Sequence, residues 1–315
     1  MSWKKKALVL GMLSRMPGGR RVYHALQRML GTNKPDPDEY LSRALEIVRM
    51  MREQGASPEG AAIFEIGTGW WPFVPFVLSL AGARRIITVD INPWLHISYA
   101  LQTHEALGAR LDMIGKELDI PSATLQARYE ATRGHAGSLA GLLEAYRVEY
   151  RCPGDARATG LGNDSVDLVV SSNVFAHVPP DILKDIHRES FRILKPGGLG
   201  VYRFNLDDSY WYDDQSITSV NFLRFSEEQW RRYGRGLAYH NRLRGVQHRQ
   251  LLEEAGFKVL SDKTRVDARA VAAIESGALP VHADFAGFKP EQLAAAYIWM
   301  VCRRPTQSEV STTGS

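Results

Sequence analysis

Residue types able to do chemistry gather at four places in this chain. The segment Phe64-Glu65-Ile66-Gly67-Thr68-Gly69-Trp70-Trp71-Pro72 runs from an apolar stretch into an acid, then a Gly-x-Gly turn, then a helical pattern. Glycines in such a turn let backbone approach a ligand that a side chain would block. Glu65, at the strand end, would repel a pyrophosphate and suits a cationic or polyhydroxyl ligand. Asp90 follows the apolar run Arg85 to Val89, about 20 residues beyond the glycine turn, the spacing at which an acid accepts both ribose hydroxyls. Gly154-Asp155-Ala156 follows a third such run, where an Asp side chain and the next backbone N–H can read an adenine edge. Asn173-Val174-Phe175-Ala176-His177-Val178 follows a fourth and offers His177 as a candidate base. A nucleoside that carries positive charge satisfies the first three together. S-adenosylmethionine, with its sulfonium and ammonium groups, is such a ligand.

The elements that must hold these residues alternate between short apolar strands and amphipathic helices. Strands are expected at 61–65, 85–89, 148–152, 166–171, 199–204, after Gly256-Phe257, and at 297–302. Helices are expected at 39–54, 73–80, 94–107, 182–194 and 246–254. Pro35-Asp36-Pro37-Asp38 breaks the chain and caps the first of these helices. Alternation of this kind predicts a doubly wound, Rossmann-like α/β sheet, mostly parallel. Polar insertions at 108–147 and 205–241 are expected to cap the crevice at the carboxyl ends of the strands, where open α/β sheets place ligands. The sequence shows no internal repeat and no second core. The domain is expected to span 35–304, between a basic leader at 1–34 and a polar, disordered tail at 305–315.

Composition bounds the class. With 315 residues, 44% hydrophobic and 23% charged, the chain has enough apolar content for one large globular domain. A formal charge of +4 does not demand nucleic acid and allows anionic substrates or membrane surfaces. Cys152 and Cys302 stand far apart with no His cluster nearby, so neither a disulfide framework nor a cysteine metal site is expected, and a reducing cytoplasm suits the chain. No apolar run is long enough to cross a bilayer. Lys4-Lys5-Lys6 before Ala7 to Leu13 resembles a signal start, but the apolar part is short and lacks a cleavage site, so the chain reads as not secreted. Within the leader, Val22, Leu26, Met29 and Leu30 recur at helical spacing, with Arg20, Arg21, His24 and Arg28 elsewhere on the wheel. Such a helix suits either a lid or peripheral contact with the inner membrane face.

Taken in order, Glu65-Ile66-Gly67-Thr68-Gly69, Val89-Asp90, Gly154-Asp155-Ala156, Ser165-Val166-Asp167-Leu168-Val169 and Lys195-Pro196-Gly197-Gly198 resemble a class I S-adenosylmethionine-dependent methyltransferase over residues 61–303. The resemblance implies a seven-stranded sheet with an antiparallel last strand. It places the glycine loop at the methionine moiety, Asp90 at the ribose and Asp155 at the adenine. The full cofactor set it implies is Glu65, Gly67, Thr68, Gly69, Trp70, Asp90, Ile91, Asp155, Ala156 and Asn173. Trp70-Trp71-Pro72 departs from the small residues expected after the turn.

Methyl transfer from a sulfonium is an in-line displacement, in which the protein mainly aligns the reactants, and an aliphatic hydroxyl acceptor also needs a base. The segments Phe204 to Trp211, Asn221 to Ser226 and His240 to Arg244, with Leu13 to Arg20, are similar to a bacterial methyltransferase subgroup associated with surface polysaccharide and glycolipid synthesis. That subgroup's pattern puts a His where this chain has Ser209, which leaves His177, Asp208 and His240 as candidate bases. Arg224, Arg231, Arg232, Arg235, Arg242 and Arg244, interleaved with Trp230, Tyr233 and Tyr239, suit an anionic glycan or small-molecule acceptor. Asp207, Asp208, Asp213 and Asp214 lack metal-ligand spacing, so no metal is expected. DNA is not expected as a partner. RNA or a natural product as acceptor, and a non-catalytic S-adenosylmethionine-binding scaffold, are the competing readings. A nicotinamide oxidoreductase fits less well, because Pro72 replaces the third glycine and no Tyr-x-x-x-Lys pair is present.

Overall fold

The computed structural model describes residues 2–19, 22–23 and 36–312. Seven strands form one sheet in the order β3-β2-β1-β4-β5-β7-β6. They are β1 (Ala62–Ile66), β2 (Arg85–Val89), β3 (Val148–Arg151), β4 (Val166–Ser172), β5 (Leu194–Asn205), β6 (Lys258–Val266) and β7 (Ala295–Arg303). Neighbours from β3 across to β5 are parallel, and β7 runs antiparallel to both β5 and β6. The central strand β1 is buried along its whole length, as both faces are covered.

Helices coat both faces. One face carries α2 (Pro37–Glu53), α3 (Phe73–Leu80) and α4 (Ile97–Gly108); the other carries α8 (Pro180–Ile193) and α10 (Gly245–Glu254), each with its own apolar cluster. Asp36 caps α2 by accepting from the Asp38 and Glu39 N–H groups, with Pro37 in the first turn, where its missing N–H costs nothing.

The two insertions take different places. Residues 108–147 fold into α5 (Leu111–Glu117), α6 (Ser122–Arg133) and α7 (Leu139–Ala145) and join the first face. Leu111, Ile114, Leu125 and Leu142 enter the same cluster as α3, and Phe76 stacks on Tyr146 at 3.8 Å. Arg128 donates to the Leu80 carbonyl at the end of α3, which lies toward the amino ends of the strands. This insertion therefore widens a face of the sheet and does not cover the carboxyl ends, contrary to the sequence expectation. Its apolar helix positions find their partners on α3 and β3.

The second insertion, including the short helix α9 (Glu227–Trp230), builds a third apolar cluster that the sequence did not disclose. Tyr210, Val220, Phe222, Leu223 and Trp230 meet Leu279, Phe285 and Leu293 from the segment that follows α11 (Ala268–Glu275) and runs through α12 (Pro290–Leu293). The amino-terminal helix α1 (Trp3–Leu13) completes it with Trp3, Ala7 and Leu10. Trp3 meets Tyr233 edge-on at 4.9 Å, its backbone N–H donates to Asp214, and Lys6 pairs with Asp213. Residues 2–19 of the leader thus pack on the domain. The leader helix read around Val22 to Leu30 lies almost wholly outside the described residues. In the tail, Gln307–Thr312 forms a helix, α13, where disorder was expected; the Thr306 N–H and hydroxyl both bond Glu309 at its start.

Candidate functional site

At the carboxyl end of β1, Gly67 and Gly69 both adopt left-handed φ values, 84° and 64°. A Cβ on Gly67 would collide with Val174, so this turn packs directly against the loop after β4. The Gly67 N–H donates to the Val89 carbonyl at 2.8 Å, and the Gly69 N–H to the Asp90 carboxylate at 2.9 Å. The other Asp90 oxygen accepts from the Asn92 N–H at 2.9 Å. Asp90 therefore clamps the first two strand-end loops together, and the remaining lone pairs of its oxygens are what a ribose would use. The third loop joins at the same point. Gly154 N–H donates to the Asp90 carbonyl, and a Cβ on Gly154 would press on Val89 and lie 2.8 Å from the Arg151 carbonyl oxygen.

Glu65 is buried and accepts from the Thr88 hydroxyl at 2.6 Å, while Thr68 bonds the same hydroxyl. Burial, and to a lesser extent nearby Asp90, raise the Glu65 carboxyl to about 8 against the Thr88 bond. Trp70 stacks on Trp94 at 4.8 Å, and Trp71 meets Tyr99 edge-on at 4.5 Å. Trp71 is buried in the core, whereas Trp70 is half-buried at the crevice and bridges the loops after β1 and β2. Ile91, 66% exposed just beyond Asp90, offers an apolar surface to a flat ring. Asp155 lies at the surface in a bidentate pair with Arg157, which holds its carboxyl below the usual range, and Ala156 is buried in the second face cluster.

Asn173, with φ 63°, ends β4; its N–H donates to the Arg203 carbonyl and its side-chain oxygen accepts from the Arg203 guanidinium. His177 is exposed, with Nδ1 against the Tyr239 carbonyl at 3.1 Å. A carbonyl only accepts, so Nδ1 carries the hydrogen, and the neutral ring keeps its basic lone pair on Nε2. The other candidate bases stand behind the surface. His240 is 3% exposed, edge-on to His177 at 5.6 Å, and burial, with His177 and Arg244 beside it, pushes its pKa down to about 3. Asp208 is 1% exposed, accepts from the Tyr210 N–H, and is pushed up to about 7 by burial. Of the three, His177 alone presents its ring to solvent, because the packing of Phe222 and its neighbours encloses His240 and Asp208.

The arginines of the second insertion divide in the same way. Arg242 bonds the Phe222 carbonyl and Glu227, and Arg244 bonds the Arg242, Leu293 and Leu206 carbonyls. Both are buried and hold the cap together, whereas Arg224, Arg231, Arg232 and Arg235 are exposed. The four aspartates are dispersed: Asp207 to Tyr212, Asp208 to Tyr210, Asp213 to Lys6 and Asp214 to Ser216. Two motifs of the sequence lie at the far end of the sheet. Asp167 pairs with Lys195 and accepts from the Ala62 N–H at 2.8 Å, and the Gly197 N–H donates to the Arg304 carbonyl.

Sequence reasoning missed two residues. Arg203 was available as a lone charge within the apolar run of β5, and Trp94 as an aromatic shortly after Asp90.

Residues 118–202 match the family described as Methyltransferase domain. The matched stretch contains Asp155, Asn173 and His177 and leaves the glycine turn and Asp90 outside it. No curated protein matches the chain. Solved structures similar to it include a candidate sarcosine dimethylglycine methyltransferase from Galdieria sulphuraria, at 15% identity and TM-score 0.47, covering 84% of this chain and 86% of that one. An S-adenosylmethionine-dependent methyltransferase from Mesorhizobium loti has 14% identity and TM-score 0.44, covering 81% and 96%. Phosphoethanolamine N-methyltransferase 2 of Haemonchus contortus has 13% identity and TM-score 0.45, covering 83% and 52%. At these values the similarities carry no argument about substrate. The sheet order and the three knitted loops are those of a Rossmann-like α/β fold, and the match of residues 118–202 to the methyltransferase domain supports a methyltransferase that uses S-adenosylmethionine.

Proposed function

We propose that this chain transfers a methyl group from S-adenosylmethionine to an oxygen of a sugar, glycolipid or related small molecule. The observation that carries the donor half is the convergence of three loops on Asp90, through the Gly69 and Gly154 N–H groups. In this reading the loop Gly67 to Gly69 and Glu65 hold the methionine end, Asp90 the ribose, and Ile91, Asp155 and Ala156 the adenine, with Thr68 and Trp70 shaping the turn and Asn173 at the border. The cofactor supplies an activated methyl carbon. The protein aligns the acceptor oxygen with it, and His177 Nε2 takes the hydroxyl proton. The acceptor half rests on the resemblance of 204–211, 221–226 and 240–244 to enzymes of surface glycans.

The outward side of α1 supports an acceptor at a membrane. Its inner residues fix it to the cap, while Leu8 (61% exposed), Val9 (47%), Met12 (55%) and the following Met16 (57%) face solvent beside Lys4 and Lys5. Such a stripe suits the interface of an anionic bilayer.

A second reading, a scaffold that binds S-adenosylmethionine without turning it over, draws on the burial of Asp208 and His240. Calorimetry with S-adenosylmethionine on the parent and on Asp90→Ala tests the donor. The expected result is binding by the parent, weakened more than tenfold in the variant; no binding by the parent overturns the methyltransferase reading. Mass spectrometry of cell-surface glycans with and without the protein tests the acceptor, a lost methyl group being expected. Unchanged glycans alongside bound cofactor would favour the scaffold.

A further inference from the structure

A groove of about 720 Å³ lies between α2 and the β5–β7–β6 side of the sheet. Pockets of this size accept small-molecule ligands. Strand register builds its floor. Arg203 and Lys263 flank Trp299 across the ladders, and Asn205 and Arg265 flank Tyr297 one pleat further on. Residues directly opposite one another share a face, as do alternate residues along a strand, so two aromatic rings and three cations line one side of the sheet.

We propose that this groove is the acceptor subsite, and that it takes a sugar-like ring bearing a phosphate or carboxylate, with Arg203 as the anion anchor and Tyr297 and Trp299 as stacking faces. The inference rests on the methyltransferase reading and deepens it by naming the acceptor's chemistry and the residues that meet it.

Charge pairing singles out Arg203. The acids around the groove are already engaged: Asp38 by Arg110, Glu39 by Arg43, Glu46 by Arg49, and Glu117 also by Arg49. Lys263 is held by Glu53 at 2.8 Å. Arg203 is 7% exposed, and among the described residues its contacts are a neutral amide oxygen of Asn173 and the ring faces of Tyr297 at 4.1 Å and Trp299 at 6.0 Å. The carboxylate of nearby Asp207 is occupied by Asn205 and Tyr212. A guanidinium withdrawn from water with no ion-pair partner in contact is costly: the charge of Asp207 offsets only part of the effect of burial and neighbouring Arg43, which push Arg203 down to about 10. An anionic group relieves that cost by pairing with its fork-shaped donors. Arg265, exposed at the rim, adds a second positive charge.

Position fits the transfer. Arg203 grips Asn173, and the next residue, Val174, packs against Gly67 of the cofactor turn. Direct contacts therefore join the Arg203 anchor to the cofactor turn through Asn173 and Val174. The Tyr and Trp faces suit the apolar face of a sugar ring.

The test titrates the full chain with glucose 1-phosphate, glucuronate and glucose by calorimetry. At least one anion is expected to bind ten or more times more tightly than glucose. Which of the two binds identifies phosphate or carboxylate as the acceptor's charge. Arg203→Gln should bring the anion-to-glucose ratio close to 1, and Arg203→Lys should retain part of it. Should Arg203→Gln fail to fold, the surface variant Arg265→Gln carries the test, with anion affinity expected to fall two- to threefold and glucose affinity unmoved. Equal binding of the three probes, no binding of any, or an anion preference unchanged in these variants overturns the subsite. Cofactor binding by the parent is scored separately, so a failed subsite is distinguishable from a failed methyltransferase.

Discussion

At the scale of single residues, Glu65 sets a pH dependence whose sign can be worked out. Its carboxyl is raised to about 8 chiefly by burial, whereas an unfolded Glu titrates near about 4.3. The neutral form is favoured in the fold, so this group's contribution is fully present below the unfolded pKa and is lost as pH rises toward 8. Glu65→Gln, which mimics the neutral form, should gain melting temperature relative to the parent as pH goes from 5 to 8.5. On the proposed assignment of Glu65 to the methionine end, the cofactor reverses the preference. A cation against Glu65 favours the ionised carboxylate, so binding should release a proton and tighten with pH up to about 8. Calorimetry in buffers of different ionisation heat measures that proton, and none released would remove Glu65 from the methionine contact. His177 gives a separate prediction. If its Nε2 is the base, His177→Ala should lower kcat by roughly 10² to 10⁴ and leave cofactor affinity within about twofold. An unchanged kcat would indicate an acceptor that needs no base.

At the scale of elements, α1 joins stability to location through opposite sides of one helix. Its inner side buries Trp3, Ala7 and Leu10 against Tyr210, Trp230 and Tyr233, and loss of a buried Trp side chain typically costs about 3–5 kcal/mol. Trp3→Ala should therefore loosen the cap, read as lost hydrogen-exchange protection in 210–238. Its outer side should govern vesicle binding alone. Replacing Leu8, Val9 and Met12 together by Gln should cut co-flotation with anionic vesicles at least tenfold and leave the melting temperature unchanged. Equal flotation of the two proteins would end the membrane reading. No helix among the described residues is long and apolar enough to span a bilayer. Trp3, Ala7 and Leu10 have helical spacing in the sequence, yet their partners stand more than 200 positions away, which is why a docked helix was not legible there. Strand β2 and helix α3 were legible to the residue, because an apolar run bounded by a charge or a proline is a local signal. The same holds for Gly67, Gly69 and Asp90, whose spacing is set by one strand–turn–helix unit. Arg203 was not legible, since its meaning comes from cross-strand neighbours contributed by β7 and β6, far along the chain. His240 and Asp208 stood as candidate bases because nothing local reveals that Phe222 and its cluster cover them.

At the scale of the whole molecule, the sheet separates chemistry from support along the strand direction. The carboxyl ends carry Gly67, Asp90, Gly154 and Asn173, each tied to a neighbouring strand or loop by hydrogen bonds of the backbone. The amino ends carry a second set of ties: Asp167 to Lys195 and to the Ala62 N–H, and Arg304 to the Phe191, Arg192 and Leu194 carbonyls. Both sets were prominent in the sequence, and only their position on the sheet distinguishes them. The separation predicts opposite phenotypes. Asp167→Ala removes a half-exposed ion pair of small worth and leaves the Ala62 N–H without its acceptor, a loss of about 1–2 kcal/mol in all. Urea unfolding should show that loss while cofactor affinity stays within about twofold. Asp90→Ala should do the converse in part, since the loops lose their clamp and the ribose its proposed acceptor, while the core clusters on either face are untouched. Cofactor affinity should then fall more than tenfold, whereas in Asp167→Ala it stays within about twofold. A cofactor affinity that drops equally in both variants would mean that the sheet transmits strain from end to end and that the two functions are not separable.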